Sequence, residues 1–488
     1  GPAFYFYPPL PFWIDALLSV VTGNVFSVVY RLALTSTVLL FASGAAMHAW
    51  LKSERATDRA AFWGAVLYMT APYHLVDYYM RGAFAEFTAF VFLPLVMLNL
   101  RRPVLLGLAY AALLLSHLPS ALLVSVTVLP AYVLARGPTP RQLAGTIAGG
   151  ALGIGLAATY LLPAMTLQDW ISAQQLWMPF YHVERWFVLT PSRWPEPYIM
   201  KVITWLTAAY ALAAIGVWLA SRRFFWPGVS LVCLALIAGI VPWFWQLPEL
   251  AKVQFPWRLM LVVEFALLTA LCTAPLASLG RPRVYVLVAA AIALVPAVIL
   301  VGDDTIERVQ FALKRGTLRQ QDVKEYEPRG YPQAASLGYA DLALEPIKDL
   351  PLIECAPAAR KCQATPQAFG TLALEIESDQ PTRVTLRRFF FPAWQVEPPR
   401  ALQEAHVAVV QVAHRGHEAH ARARAPPAQG EALHCGGRVD DTHGVSLRGF
   451  GVAPQIKPSG NGEFFIRKAG GEEKGFWVAR VFPALLLS

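Results

Sequence analysis

One stretch gathers four residues able to do chemistry together. It reads Ala71-Pro72-Tyr73-His74-Leu75-Val76-Asp77-Tyr78-Tyr79-Met80-Arg81-Gly82-Ala83-Phe84-Ala85-Glu86. His74, Asp77, Arg81 and Glu86 meet at one turn between two apolar runs. The planar fork of an arginine suits a phosphate or pyrophosphate. A carboxylate beside it can orient an acceptor hydroxyl or act as its base, which makes Asp77 and Glu86 the catalytic candidates. The blander reading is an ion pair that fixes the turn. A second constellation is Gln254-Phe255-Pro256-Trp257-Arg258, with Glu264 almost two turns further on. Arg258 either snorkels to lipid headgroups or supplies a second phosphate contact. Glu264, inside an apolar run, needs a partner or a wet cavity. A third is Phe4-Tyr5-Phe6-Tyr7-Pro8-Pro9-Leu10-Pro11-Phe12-Trp13, followed by Asp15. It suits an aromatic belt at headgroup level or a groove for a lipid substrate. The loop from Gln168 to Tyr198, rich in Trp and Tyr, is long enough to act as a lid. His117 sits at a tight turn, where a capping or packing role is the ordinary one. The chain carries no P-loop, no G-x-G-x-x-G, no metalloprotease helix and no G-x-S-x-G.

The elements that must position these groups are membrane spans. A spanning helix needs about 20 mainly apolar residues. Ten runs qualify: 28–51, 59–75, 83–100, 103–117, 118–135, 142–163, 201–220, 224–243, 257–279 and 284–301. The pair at 103–117 and 118–135, joined by a tight turn, can also form one re-entrant hairpin, so the count is eight to ten. Charge divides the chain in the same place. Residues 1–301 hold 18 Lys and Arg and 10 Asp and Glu, about 9% charged, against about 24% for residues 302–488. Ordinary soluble proteins carry about 25%. A wholly soluble enzyme is excluded. Nucleic acid is excluded as the reason for the net +9, because +8 of it lies in the apolar part.

That +8 is a topological signal. Lys52, Arg55, Arg59, Arg101, Arg102, Arg136, Arg141, Arg222, Arg223, Arg281 and Arg283 fall in alternate short connections. The positive-inside rule makes those connections cytoplasmic. Eight of the ten acids, Asp15, Asp77, Glu86 and Glu264 among them, then lie near the external face. The chain begins at Gly1 without Met, inside what reads as an external segment, so a preceding span is expected.

The expected organisation is an external aromatic segment and interfacial helix over 1–27, a transmembrane domain over 28–301, an external β-rich domain over 302–400, and a poorly patterned tail over 401–488. Thr371–Glu377 and Thr382–Phe390 alternate around Asp379-Gln380-Pro381 and are expected to form a β-hairpin. Cys355 and Cys362, seven apart, suit a small disulfide loop in an oxidising compartment, which leaves Cys435 over. The tail holds His414, His417, His420, His434 and His443, with no zinc spacing. It reads as a poorly ordered segment or as out-of-frame translation of GC-rich DNA.

In order, FYFYPPLPF, APYHLVDYYMRGAFAEF, LLLSHLPSALL, ATYLLPAM, VQFPWR and FFFPAW resemble the bacterial polytopic membrane proteins known as 6-pyruvoyl-tetrahydropterin synthase related. The likeness covers roughly residues 1–400 and extends, more distantly, to YfhO-like proteins. The pterin name implies no pterin activity, since the soluble synthase's zinc-histidine pattern is absent from the sequence. The group resembles GT-C glycosyltransferases. That resemblance implies a GT-C-like α-helical membrane fold of about 8–10 spans with a C-terminal external β-rich domain. It implies sugar transfer, with inversion, from a polyprenyl-phosphate carrier on the external face of the bacterial cytoplasmic membrane. The acceptor would be a glycan, a lipid or a protein. Asp77 and Glu86 are the catalytic candidates within the chain, while the family's main catalytic Asp is expected to precede Gly1. Arg81, Arg258, His74, Gln254, Asp15 and Tyr7 are the substrate-binding candidates. No cofactor is expected, and a divalent metal is left open. Two alternatives stand beside this: a transporter or lipid flippase, and a non-catalytic membrane protein of envelope assembly.

Overall fold

The computed structural model describes residues 6–170, 178–273, 299, 302, 353–356, 359–366, 372–377, 382–386, 394–397, 464–466 and 477–483. They fall in two units, a helical one within 2–327 and a β one within 328–488.

The helical unit opens with α1 (Leu10–Val21), α2 (Val28–Ser53) and α3 (Asp58–Met69). Thr57 caps α3 by accepting from the Ala60 N–H, one of the orphan donors at a helix start. A four-residue helix, α4 (Pro72–Leu75), leads into a π-helical turn over Val76–Met80. Next come α5 (Phe84–Leu98), α6 (Pro103–Ser116), α7 (Leu118–Val126), α8 (Val128–Ala135) and α9 (Pro140–Thr166). Thr139 and Gln142 form a reciprocal capping box at the start of α9. Then follow α10 (Pro197–Ser221), α11 (Phe225–Ala238) and α12 (Met260–Thr273), the last entered through a 3-10 turn over Pro256–Leu259.

Helices stand at nine of the ten expected spans. The tenth, 284–301, lies outside the described residues except at 299. Among the described residues five stretches are long and apolar enough to cross a membrane: Val28–Ser53, Leu118–Ala135, Pro140–Thr166, Pro197–Ser221 and Pro256–Thr273. The others fall short on length. The 15 residues of α5 rise only about 22 Å at 1.5 Å each, against a hydrocarbon core of about 30 Å. The expected span 59–75 is not one helix, because the chain breaks after Met69.

Burial runs opposite to that of a water-soluble protein. Val29, Phe41, Ile147, Leu162 and Val232 are exposed, while Asp77, Glu86 and Glu264 are buried. Apolar surface without charge suits lipid, and polar groups then face inward. At the centre, Met260 to Leu267 of α12 is buried all round. Trp50 of α2 reaches this helix, its indole N–H donating to Thr269 Oγ1 at 2.9 Å.

Helices α6 and α9 approach through glycine. A Cβ on Gly149 would come within 2.8 Å of the Pro103 carbonyl oxygen, and one on Gly153 within 2.9 Å of the Gly107 carbonyl oxygen. This is small-xxx-small packing, which lets backbones meet where lipid gives no hydrophobic drive.

In the β unit, β1 (Ile353–Ala356), β4 (Thr382–Leu386) and β6 (Phe464–Ile466) make one antiparallel sheet in the order β1-β4-β6. The other runs β2 (Lys361–Pro366), β3 (Leu372–Glu377), β7 (Trp477–Pro483), β5 (Trp394–Glu397), also antiparallel. The disulfide Cys355–Cys362 forms, Cα atoms 6.3 Å apart, and ties β1 to β2 across the two sheets. The expected hairpin of 371–377 with 382–390 does not form. Both edges of β3 are taken, by β2 and β7, so β4 has no edge to join and pairs with β1 and β6. Strands β6 and β7 lie beyond residue 400, where the sequence pattern is poor, yet their backbones pair with the domain before it. The His-rich tract and Cys435 lie outside the described residues.

Gly153→Val should destabilise the α6–α9 contact by about 1–3 kcal/mol, as overpacking does. Gly155→Val, which meets nothing within 4 Å, should not. Thermal melting of the purified protein in micelles compares the two, and equal melting would remove the close-approach account.

Candidate functional site

Pro72 starts the site. Having no N–H, it cannot continue α3, and it forces Ala71 before it into extended backbone (ψ 133°). The new helix α4 therefore begins with unpaired backbone donors. Glu264 of α12 satisfies them. Its Oε1 accepts from the Tyr73 N–H at 2.6 Å and its Oε2 from the His74 N–H at 3.3 Å. The Tyr210 hydroxyl also donates to Oε1. The partner that Glu264 requires is thus the start of α4.

After α4 the wide π turn puts the Arg81 N–H on the Val76 carbonyl. Gly82, at φ +61°, reverses the chain into α5. Arg81 and Glu86 are thereby folded onto each other. Arg81 Nη1 lies 2.8 Å from Glu86 Oε2, donates to the Tyr73 hydroxyl at 3.0 Å and pairs with Asp77. Tyr73 in turn donates to Glu86 Oε1 at 2.7 Å. From the 256–259 turn comes a second guanidinium, with Arg258 Nε 3.4 Å from the same Glu86 Oε2. Arg258 Nη1 is held by the Val253 carbonyl at 2.6 Å.

An aromatic wall completes the cluster. Phe255 stacks on Trp257, centroids 4.7 Å apart, and Trp186 closes edge-on at 4.9 Å from Trp257. Arg258 Cζ lies 5.0 Å from the Phe255 centroid, and Arg81 Cζ lies 6.0 Å from both Phe255 and Trp257, within cation–π range. Asp77 is 0% and Glu86 1% exposed, while the side chains of Arg81 and Arg258 keep 11% and 12% of their surface, so two fully buried carboxylates face two cations at the edge of the buried region. Burial pushes the Asp77 carboxyl well above the ordinary carboxylate range; Glu86 adds to this and Arg81 opposes it.

The pairing is incomplete. Among the described residues, Asp77 Oδ2, Arg258 Nε and Trp257 Nε1 are buried without a hydrogen-bond partner. Unsatisfied buried polar atoms are few in native proteins and call for an explanation. Two of these three are donors. The cluster is short of acceptors, which is what an oxyanion supplies.

Of the residues singled out from sequence, Asp77, Arg81, Glu86 and Arg258 come together. His74 is not with them. Its ring stacks on Phe90 at 3.9 Å, and its Nδ1 contacts the Tyr68 carbonyl at 3.1 Å. Asp15 is also elsewhere, pairing with Arg31 at 2.8 Å and accepting from Thr35 at 3.0 Å, which fastens α1 to α2. Tyr7 packs edge-on against Phe12, and Phe12 against Phe84 at the start of α5. Gln254 takes a left-handed backbone (φ 68°) beside Phe255. Tyr73, Tyr210 and Trp257 bond or stack within these clusters, and single-residue reading passes over them, since tyrosines and tryptophans abound in these segments. Among the described residues no group of three or more His, Cys, Asp and Glu could hold a metal ion.

A family model described as the 6-pyruvoyl-tetrahydropterin synthase related domain, a membrane protein, matches residues 4–307. The chain belongs to this YfhO-like family of membrane proteins. The match takes in every member of the cluster and ends before the β strands. No curated protein and no solved structure matches the chain.

Glu86→Ala would leave two buried guanidiniums without their shared carboxylate. Breaking a buried pair from one side costs about 3–5 kcal/mol, so a large drop in melting temperature is expected. Asp58→Ala, whose carboxylate is 91% exposed in its pair with Lys52, should leave the melting temperature nearly unchanged, as solvent screens such a pair. Equal effects in thermal melts would show that the Glu86 cluster carries no special weight.

Proposed function

We propose that this protein transfers a sugar from a polyprenyl-phosphate carrier on the external face of the bacterial cytoplasmic membrane. The observation that carries the reading is the convergence of Arg81 and Arg258 on one oxygen of Glu86. Two guanidiniums a few ångströms apart, with unmatched donors on Arg258 and Trp257, suit the phosphate of a lipid carrier. Arginine binds such groups through its planar fork, and a site walled from water strengthens the attraction. The basic connections and the Cys355–Cys362 disulfide support an external cluster and an oxidising compartment for the β unit.

In this reading the acceptor hydroxyl oxygen attacks the anomeric carbon. The bond from that carbon to the phosphate oxygen breaks, and the phosphate leaves with the electron pair. Arg81 and Arg258 stabilise the charge that develops on it. The hydroxyl proton passes to a carboxylate. Asp77, raised toward protonation and with Oδ2 free of partners among the described residues, is the acceptor within this chain. Glu86 holds the guanidiniums in place. Tyr7 and Gln254 flank the polyprenyl path, and the acceptor is a glycan, lipid or protein. The two guanidiniums take the charge-neutralising role without a cofactor. A second reading, a lipid flippase, draws on the break between α3 and α4, since transporters bind substrate at discontinuous helices.

The test is transfer from polyprenyl-phosphate sugars by vesicles holding the protein. Arg258→Gln leaves Glu86 paired with Arg81 and Tyr73, so the fold should hold. Transfer should fall about 100-fold, as when one transition-state donor is lost. Asp77→Asn should lower kcat while leaving carrier binding nearly unchanged. Transfer unaffected by Arg258→Gln in folded protein would sink the assignment. Carrier binding without transfer in wild type would favour the flippase.

A further inference from the structure

A second polar cluster lies at the other end of the helix that Arg258 introduces. Thr273, the last described residue of α12, lies about 22 Å along the helix from Arg258 at 1.5 Å per residue. There the ends of α2, α8, α10 and α12 and the start of α11 enclose a cavity of about 360 Å³, within the size range of small-ligand sites. Tyr132, Phe224, Phe225 and Trp226 give it aromatic walls. Tyr132 and Trp226 stack at 5.4 Å.

Its charges do not cancel. Glu54 is fully engaged, taking Arg136 Nη2 at 2.6 and 2.7 Å and the Tyr132 hydroxyl at 2.6 Å. Arg136 also lies over the Tyr132 ring, 4.7 Å from its centroid. That leaves Arg223. Its Nη1 donates to the Thr273 backbone carbonyl at 3.1 Å, and among the described residues no carboxylate pairs with it. The sequence that follows, 274–301, contains no Asp or Glu, so the next stretch of chain offers no counter-charge. The cavity therefore carries one uncompensated guanidinium. Beside it the outer surface is apolar, with Trp218, Leu219 and Phe224 exposed.

A ligand matching this site has an anionic head and apolar chains to lie along the outer surface. We propose that the cavity binds a phosphate ester, the headgroup of an anionic phospholipid, with Arg223 as its direct contact. Arg136 and Glu54 form the fixed rim, and the rings of Phe225 and Trp226 hold the glycerol end. Basic cavities between helix ends are suited to such headgroups. The site is independent of the Glu86 cluster and of sugar transfer.

The test uses the whole chain in detergent, titrated with phosphatidylglycerol or phosphatidylcholine by native mass spectrometry, and with inorganic phosphate by thermal melting. Phosphatidylglycerol should bind about tenfold more tightly than phosphatidylcholine. Arg223→Gln should remove that preference. Phe224→Glu, at an exposed rim position, should remove it without disturbing the fold, which covers the case in which Arg223→Gln fails to fold. Arg101→Gln, an exposed basic residue of another connection, should keep it. A stabilisation by inorganic phosphate alone that depends on Arg223 would uphold phosphate recognition and assign the source to a soluble phosphate. Equal binding of the two lipids with no response to inorganic phosphate would overturn the proposal. So would an equal loss in Arg101→Gln, which would mark diffuse attraction to the basic face.

Discussion

Glu86 is the carboxylate that two guanidiniums share. Arg81 reaches it from the turn after α4, Arg258 from the turn before α12, and Tyr73 from α4 itself. Three separate segments are thereby pinned to the first turn of α5. In a protein whose outer surface is apolar, a lone buried charge is too costly to keep. The four charged groups can stay only while they stay together, so their mutual pairing dictates where these segments meet. Glu264 repeats the device one layer over. It ends its own isolation by capping a helix that Pro72 had left uncapped.

The same constraint leaves room for function. Two guanidiniums and two carboxylates balance in charge but not in hydrogen bonds. Asp77 Oδ2, Arg258 Nε and Trp257 Nε1 remain over among the described residues. A purely structural ion pair has no reason to keep unmatched donors at full burial, because each costs about 1–3 kcal/mol. A phosphate oxygen would match the two donors and leave Asp77 facing the acceptor. Under the proposed function, holding the fold and holding a lipid phosphate would be two uses of one preorganised field.

Apolar runs announced the helices well, because a lipid-facing stretch of about 20 residues has few other uses. The Arg81–Glu86 meeting was also legible, since a five-residue spacing across a glycine turn can only fold back. The break before α4 had its signal in Ala71-Pro72 but was masked by the apolar residues around it. Gly149 and Gly153 likewise announce close packing by spacing alone. What the sequence could not carry were the long-range choices. Nothing local says that Glu264 finds Tyr210, or that Asp15 turns to Arg31 rather than to the cluster. Nor does the pattern at 371–390 foretell that strands at 464–466 and 477–483 take the edges a hairpin would need.

The central claim is that the Glu86-centred cluster receives the phosphate of a polyprenyl carrier. An experimental structure of the protein with polyprenyl phosphate bound tests it most directly. The account predicts phosphate density in contact with Arg81, Arg258 and the Trp257 indole N–H, with Asp77 facing the acceptor side. Phosphate bound elsewhere, with these four side chains still closed on one another, would contradict it.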